Sequence, residues 1–154
     1  MKFELYKFKF YLNASHFIYI RGNRGATHPH TWEISIDTMK LIHDFIQFDK
    51  VENFIEKDME KFQNRELNDL PEFKNINPTL ETICDFFQKR IAQIFNEHAW
   101  FLLSIEMSET PTRSYVINLA NQESLMQQYA KIQEHFKYID QTVMRELEDV
   151  LNFE

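Results

Sequence analysis

Three imidazoles carry the first chemical signal in this chain. His28-Pro29-His30 opens an alternating run, Trp32-Glu33-Ile34-Ser35-Ile36, and His16 stands upstream in an aromatic, strand-like segment. Residues i and i+2 of a strand point to the same face, so His28 and His30 can converge on one point. A neighbouring strand could bring in His16 as the third donor. Three neutral imidazoles with one position left open form the usual protein set of a catalytic zinc, at about 2.0–2.1 Å from each nitrogen. The same spacing also suits histidines satisfied in the core or at the surface, and His-x-His recurs by chance.

Two hairpins and two helices are expected to position these groups. Phe3, Leu5, Phe8, Phe10 and Leu12 read as a strand of about ten residues with one irregularity, and residues 13–21 either continue it or open a loop. His28 to Thr38 puts His30, Trp32, Ile34 and Ile36 on one face and Thr31, Glu33, Ser35 and Asp37 on the other. Phe48, Val51, Phe54, Ile55 and Phe62 trace a helical stripe. A second helix is capped by Asn77, takes Pro78 at its first position, and repeats Leu80, Ile83, Cys84, Phe87, Ile91, Ile94 and Phe95. Phe101–Glu109 and Arg113–Leu119 form the second hairpin, through Thr110-Pro111-Thr112. The order is ββααββ, an α+β arrangement with no dinucleotide glycine fingerprint after its first strand. From Leu125 to Val150 apolar residues recur at three and four, predicting one long amphipathic helix or two broken near Tyr138-Ile139-Asp140. Its stripe would dock on the domain, on another subunit, or on a sister helix.

Bulk properties exclude several classes. The 154 residues make one domain's worth of core, and an apolar fraction of 44% with 15 Phe argues for a folded protein. A net charge of −7 without a basic block speaks against nucleic acid. No stretch reaches the length of a membrane span, and the first residues lack a leader-like apolar run. The single cysteine, Cys84, excludes an internal disulfide. A soluble, cytoplasmic protein is expected.

At this level of detail the chain resembles the family of 6-pyruvoyl-tetrahydropterin synthase and 6-carboxytetrahydropterin synthase, with its tunnelling (T-fold) architecture. Ala14-Ser15-His16 and His28-Pro29-His30 resemble its zinc-ligand motifs. Phe48 with Val51 resembles the opening of its first helix, and Leu67-Asn68-Asp69 the Leu-Asn element that follows. Asn77-Pro78-Thr79-Leu80-Glu81-Thr82 resembles its Pro-Thr-x-Glu-Asn helix start. Glu109-Thr110 resembles the Glu-Thr closing its third strand. The resemblance runs from about residue 3 to residue 119, and residues 1–120 are read as the T-fold domain with 121–154 as a helical extension. It implies zinc on His16, His28 and His30, a pterin-like ring anchored by Glu109 with help from Thr110, and a trimer or hexamer with pockets at subunit boundaries. In such an assembly Glu109 would face the zinc of a neighbouring chain.

The departures concern proton transfer. Arg24 stands at the family's catalytic cysteine, and Gln63 and Asn64 stand at its Asp-His pair. Cys84 falls on the apolar stripe of the second helix and cannot replace them. A carbon acid still needs a base within about 3 Å. Arg24, His43, Glu66, Asp49, Glu81 or a zinc-bound hydroxide remain as alternatives. Arg24 stays protonated, so it suits an anionic substrate group better than a base's role. Three functions follow: a zinc-dependent lyase-like enzyme acting on dihydroneopterin triphosphate or a related pterin with an altered general base, a non-catalytic or regulatory pterin-binding protein, or a structural homologue that assembles through its last helix.

Overall fold

Alternation explains the centre of the fold. In a computed structural model that describes residues 4–42 and 44–136, strand β1 (Tyr6–His16) buries Phe8, Phe10, Leu12, Ala14 and His16, with the residues between them largely exposed. Strand β4 (His28–Lys40) lies antiparallel to it and turns Trp32, Ile34 and Ile36 to the same side. Residues 13–16 thus continue the first strand. Two-residue strands β2 (Tyr19–Ile20) and β3 (Asn23–Arg24) form a separate small hairpin between β1 and β4. Arg21 (φ 51°) and Gly22 (φ 79°) make its turn, with the positive φ values that a tight two-residue hairpin needs.

Strand β6 (Trp100–Thr110) pairs with β4, and β7 (Arg113–Asn118) pairs with β6. The expected second hairpin is therefore present. A short strand β5 (Arg65–Glu66) runs parallel to the far edge of β1, giving the order β5-β1-β4-β6-β7. The sheet is thus antiparallel apart from this one short addition. Helices α1 (Phe48–Met59) and α2 (Leu80–Glu97) bury Val51, Ile55, Ile83, Cys84, Phe87, Ile91 and Phe95 against its apolar face. The ring cluster of Phe62, Phe73, Phe86 and Phe87 fills the space beside them. Helix α2 starts two residues later than its sequence implies, at Leu80 rather than Pro78. Thr79 is its cap and accepts from the amide of Thr82, while the Asn77 side chain bonds the amide and carbonyl of Tyr19.

Helix α3 (Gln122–His135) packs on α2 and β6 and builds a second core from Leu125, Tyr129 and Ile132 against Leu41, Ala99 and Phe101. Over this span the helix docks within its own chain. The remainder of the long helix expected to residue 150, with its break near Tyr138-Ile139-Asp140, lies outside the described residues. None of the helices among the described residues is long and apolar enough to cross a membrane.

Candidate metal centre

The apolar face of the sheet ends in a cluster of donors. Strand β1 closes its buried series with His16, β4 begins its own with His28 and His30, and β6 follows Ile105 and Met107 with Glu109. Register does the rest, since His16 lies directly opposite His28 and Ala14 opposite His30. One ligand atom from each of His16, His28, His30 and Glu109 falls within 4.8 Å of every other. The three histidines that spacing singles out are thus brought together, and Glu109 joins them from the same chain. The expectation that Glu109 would face a neighbour's zinc does not match this placement, because β6 lies beside β4 and carries the carboxylate to the imidazoles of its own sheet.

Backbone carbonyls orient two of the rings. His16 Nδ1 lies 2.7 Å from the carbonyl oxygen of Pro78, and His28 Nδ1 lies 2.9 Å from that of Ala26. A neutral imidazole has one N–H, and a carbonyl can only accept, so both rings carry their proton on Nδ1. The two Nε2 atoms are then bare lone pairs, yet they stand 3.0 Å apart. Neutral rings cannot hydrogen-bond to each other in this arrangement. A cation between them would resolve it. His30 Nε2 is buried and makes no hydrogen bond among the described residues, although it lies 3.2 Å from Glu109 Oε1. His16 Nε2 is 3.6 Å from the same oxygen. Burial, the largest influence on each ring, pushes the pKa values of His16 and His30 below the ordinary 6.5. Both are thereby held in the neutral form that a metal requires.

Supporting residues were not evident from spacing. Asn68 bonds both the amide and the carbonyl of Phe17, fixing the chain just beyond His16. Trp32 is fully buried, with its ring centroid 5.0 Å from those of both His16 and His30. Arg113 Nη2 donates to Glu109 Oε2 at 3.1 Å. The Glu-Thr element marked the acid, but nothing in the sequence linked it to an arginine across the turn.

The other residues singled out from sequence have different surroundings. Arg24, in β3, lays its guanidinium over the Phe17 ring at 3.9 Å. Glu66, in β5, lies in register with Ser15, next to His16. The Thr110 hydroxyl bonds that of Thr112 at 3.3 Å, and His43 lies outside the described residues. Gln63 has a structural employment. Its side-chain oxygen accepts from the Asn13 amide at 2.9 Å and its nitrogen donates to the Tyr11 carbonyl at 2.8 Å, extending the edge of β1. Asn64, at φ 57°, adds its own amide to the Asn13 carbonyl. Cys84 is fully buried, and desolvation lifts its thiol to about 12.

The fold has known counterparts. The structure of 6-pyruvoyl tetrahydropterin synthase from Caenorhabditis elegans is 13% identical, with a TM-score of 0.59, 77% of this chain covered and 98% of that one. The Plasmodium falciparum enzyme of the same name gives 16% and 0.54, covering 73% and 96%. A third, an uncharacterised Wolinella succinogenes protein, gives 13% and 0.53, covering 75% and 97%. No curated protein matches the chain by sequence. The family described as 6-pyruvoyl tetrahydropterin synthase matches residues 5–120, a span that runs from β1 to the end of β7 and contains all four clustered donors. The chain therefore belongs to the 6-pyruvoyl tetrahydropterin synthase family.

Proposed function

We propose that the protein is a zinc-dependent, pterin-processing lyase-like enzyme acting on dihydroneopterin triphosphate or a related pterin, with an altered general base. The observation that carries this reading is the pair of facing Nε2 lone pairs on His16 and His28, with His30 and Glu109 beside them. Nitrogen donors in such a set suit zinc, and the backbone carbonyls of Pro78 and Ala26 are the kind that hold ligating imidazoles in one tautomer. When bound, the metal supplies Lewis-acid polarisation of substrate oxygens.

The protein's own groups would do the rest. A carboxylate can accept two parallel hydrogen bonds from a pterin edge. Glu109 could do so after leaving Arg113 and the imidazoles, with Thr110 next to it in the strand. Arg24, a permanent cation, would receive an anionic group such as a phosphate. Proton transfer would fall to Glu66, with His43 as a second possibility, because Gln63 is tied to the edge of β1 and the Cys84 thiol stays protonated.

A second reading, a non-catalytic or regulatory pterin-binding protein, is favoured by that same employment of Gln63. Both readings place the protein in the cytoplasm as a homo-oligomer, a trimer or hexamer, with no nucleic-acid or membrane partner. Strand β7 supports the assembly, since this outer strand leaves Tyr115 and Val116 exposed. Light scattering at micromolar concentration checks it, and a monomer would refute it.

The functional experiment is incubation of zinc-loaded protein with dihydroneopterin triphosphate, following binding and product together. Turnover that disappears in His28→Ala supports the enzyme. Tight binding without turnover supports the binding protein. Neither binding nor turnover removes both.

A further inference from the structure

We propose that Glu109 is a fourth protein ligand of the metal, closing the site in the absence of substrate, with Arg113 holding the outer oxygen of its carboxylate. This rests on the metal reading above and departs from the open three-histidine site that spacing implies.

Separations between donors carry the proposal. Tetrahedral ligands at about 2.0–2.2 Å from a metal stand about 3.4 Å from one another. The structure gives 3.0 Å between His16 and His28, 3.6 Å between His16 and Glu109 Oε1, and 3.2 Å between His30 and the same oxygen. An acid set back by an intervening water would stand about 4 Å or more from those nitrogens. Glu109 occupies the place of a ligand.

Electrostatics points the same way. The Glu109 side chain is only 14% exposed and faces the ring nitrogens of His16 and His30. A carboxylate removed from water needs a compensating cation. Arg113 supplies one only from the outside, because its side chain is 66% exposed and reaches Oε2. Among the described residues, the inner oxygen, Oε1, has the imidazole nitrogens of His16 and His30 before it. A divalent cation there would satisfy Glu109 and relieve the His16–His28 contact at once. Arg113 then acts as a positioning residue, turning the carboxylate so that one oxygen is presented inward.

The test uses cobalt in place of zinc, because its visible bands report coordination number and ligand exchange. Wild-type protein should bind one Co2+ with the strong bands of a four-coordinate centre, and added azide should leave them unchanged. Glu109→Gln keeps the side chain's size. It should make the bands respond to azide and weaken Co2+ binding more than tenfold, since outer-shell partners alone are worth about 10–100-fold. Glu109→Ala serves as a second variant, and circular dichroism confirms that each is folded. Unchanged affinity and bands in both variants, or an azide-responsive wild type, would overturn the fourth ligand while leaving the metal reading intact. Failure of wild type to bind stoichiometric Co2+ or Zn2+ would overturn both.

Discussion

His16 and His28 face each other across β1 and β4 with their Nε2 atoms 3.0 Å apart, while each Nδ1–H is given to a carbonyl. Without a cation the contact is repulsive, so the metal-free fold carries a local cost that loading should remove. Zinc at about 100 times its dissociation constant adds about 2.7 kcal/mol of stability. For a protein of this size that is a rise in Tm of about 5–10 °C. Thermal scans with zinc and with chelator should show this gap in wild type and none in His28→Ala. Equal Tm values in wild type would count against the site.

Cys84 makes a sharper statement about what the chemistry does not use. It lies within the apolar contact of α2 with the sheet, fully buried, and its thiol is raised to about 12 by desolvation first and Asp85 second. A thiolate is the reactive species. Native protein should therefore resist a thiol reagent at neutral pH and react fully once unfolded in denaturant. Turnover in Cys84→Ser should stay within a few-fold of wild type. Rapid labelling of the native state, or loss of activity with the fold intact, would show the thiol to be accessible to the site.

Acid should destabilise the metal-free protein in the imidazole range. Burial is the leading cause of lowered pKa values at His16, His30 and His98, all below the ordinary 6.5. Near and below that value the unfolded chain binds more protons than the folded one, so stability rises with pH. The contribution is full above the unfolded value and declines as the pH falls through 6.5 toward the lower folded values. His98 stacks on Phe54 at 3.8 Å with the planes 2° apart, away from the metal cluster. His98→Phe keeps an aromatic ring there and removes its proton. Urea titrations with chelator present should give a shallower pH slope for this variant. An unchanged slope would exclude His98 as a contributor.

Much of the site was legible because it depends on strand alternation, which sequence displays. His30, Trp32, Ile34 and Ile36 share a face in the structure as the pattern requires, and β1 continues to His16 because Ala14 and His16 keep the same parity as Phe8. The placement of Glu109 could not be read in this way. It follows from the lateral order β1-β4-β6, which local periodicity does not contain. Gln63 was recognisable only as a departure from a motif. Its bond to the edge of β1 depends on a contact 50 residues away in sequence. The cap of α2 was misplaced by two residues because Asn77 and Thr79 are both good caps, and Asn77 is drawn to the Tyr19 backbone.

Gln128 gives the strongest test of how α3 is attached. Strand β6 bulges opposite Asp37 and Thr38, where Ser104 and Leu102 are paired but Leu103 is not. There Gln128 replaces a strand partner. Its oxygen accepts from the Leu102 amide at 2.9 Å and from Asn96 Nδ2 at 2.9 Å, while its nitrogen donates to the Leu102 carbonyl at 2.8 Å. Gln128 is itself buried, so Gln128→Leu would leave the Leu102 amide and carbonyl without these bonds in a dry interior. Each such group costs about 1–3 kcal/mol, so a loss of about 2–6 kcal/mol of stability is expected for the two. Amide exchange at Leu102 should accelerate, whereas the metal cluster, at the other end of β6, should retain its affinity. Met126, exposed on the same helix, is the control, and Met126→Gln should change stability by less than about 0.5 kcal/mol. If Gln128→Leu were equally mild, α3 would be held by Leu125, Tyr129 and Ile132 alone, and the polar bridge to the bulge would have no part in docking it.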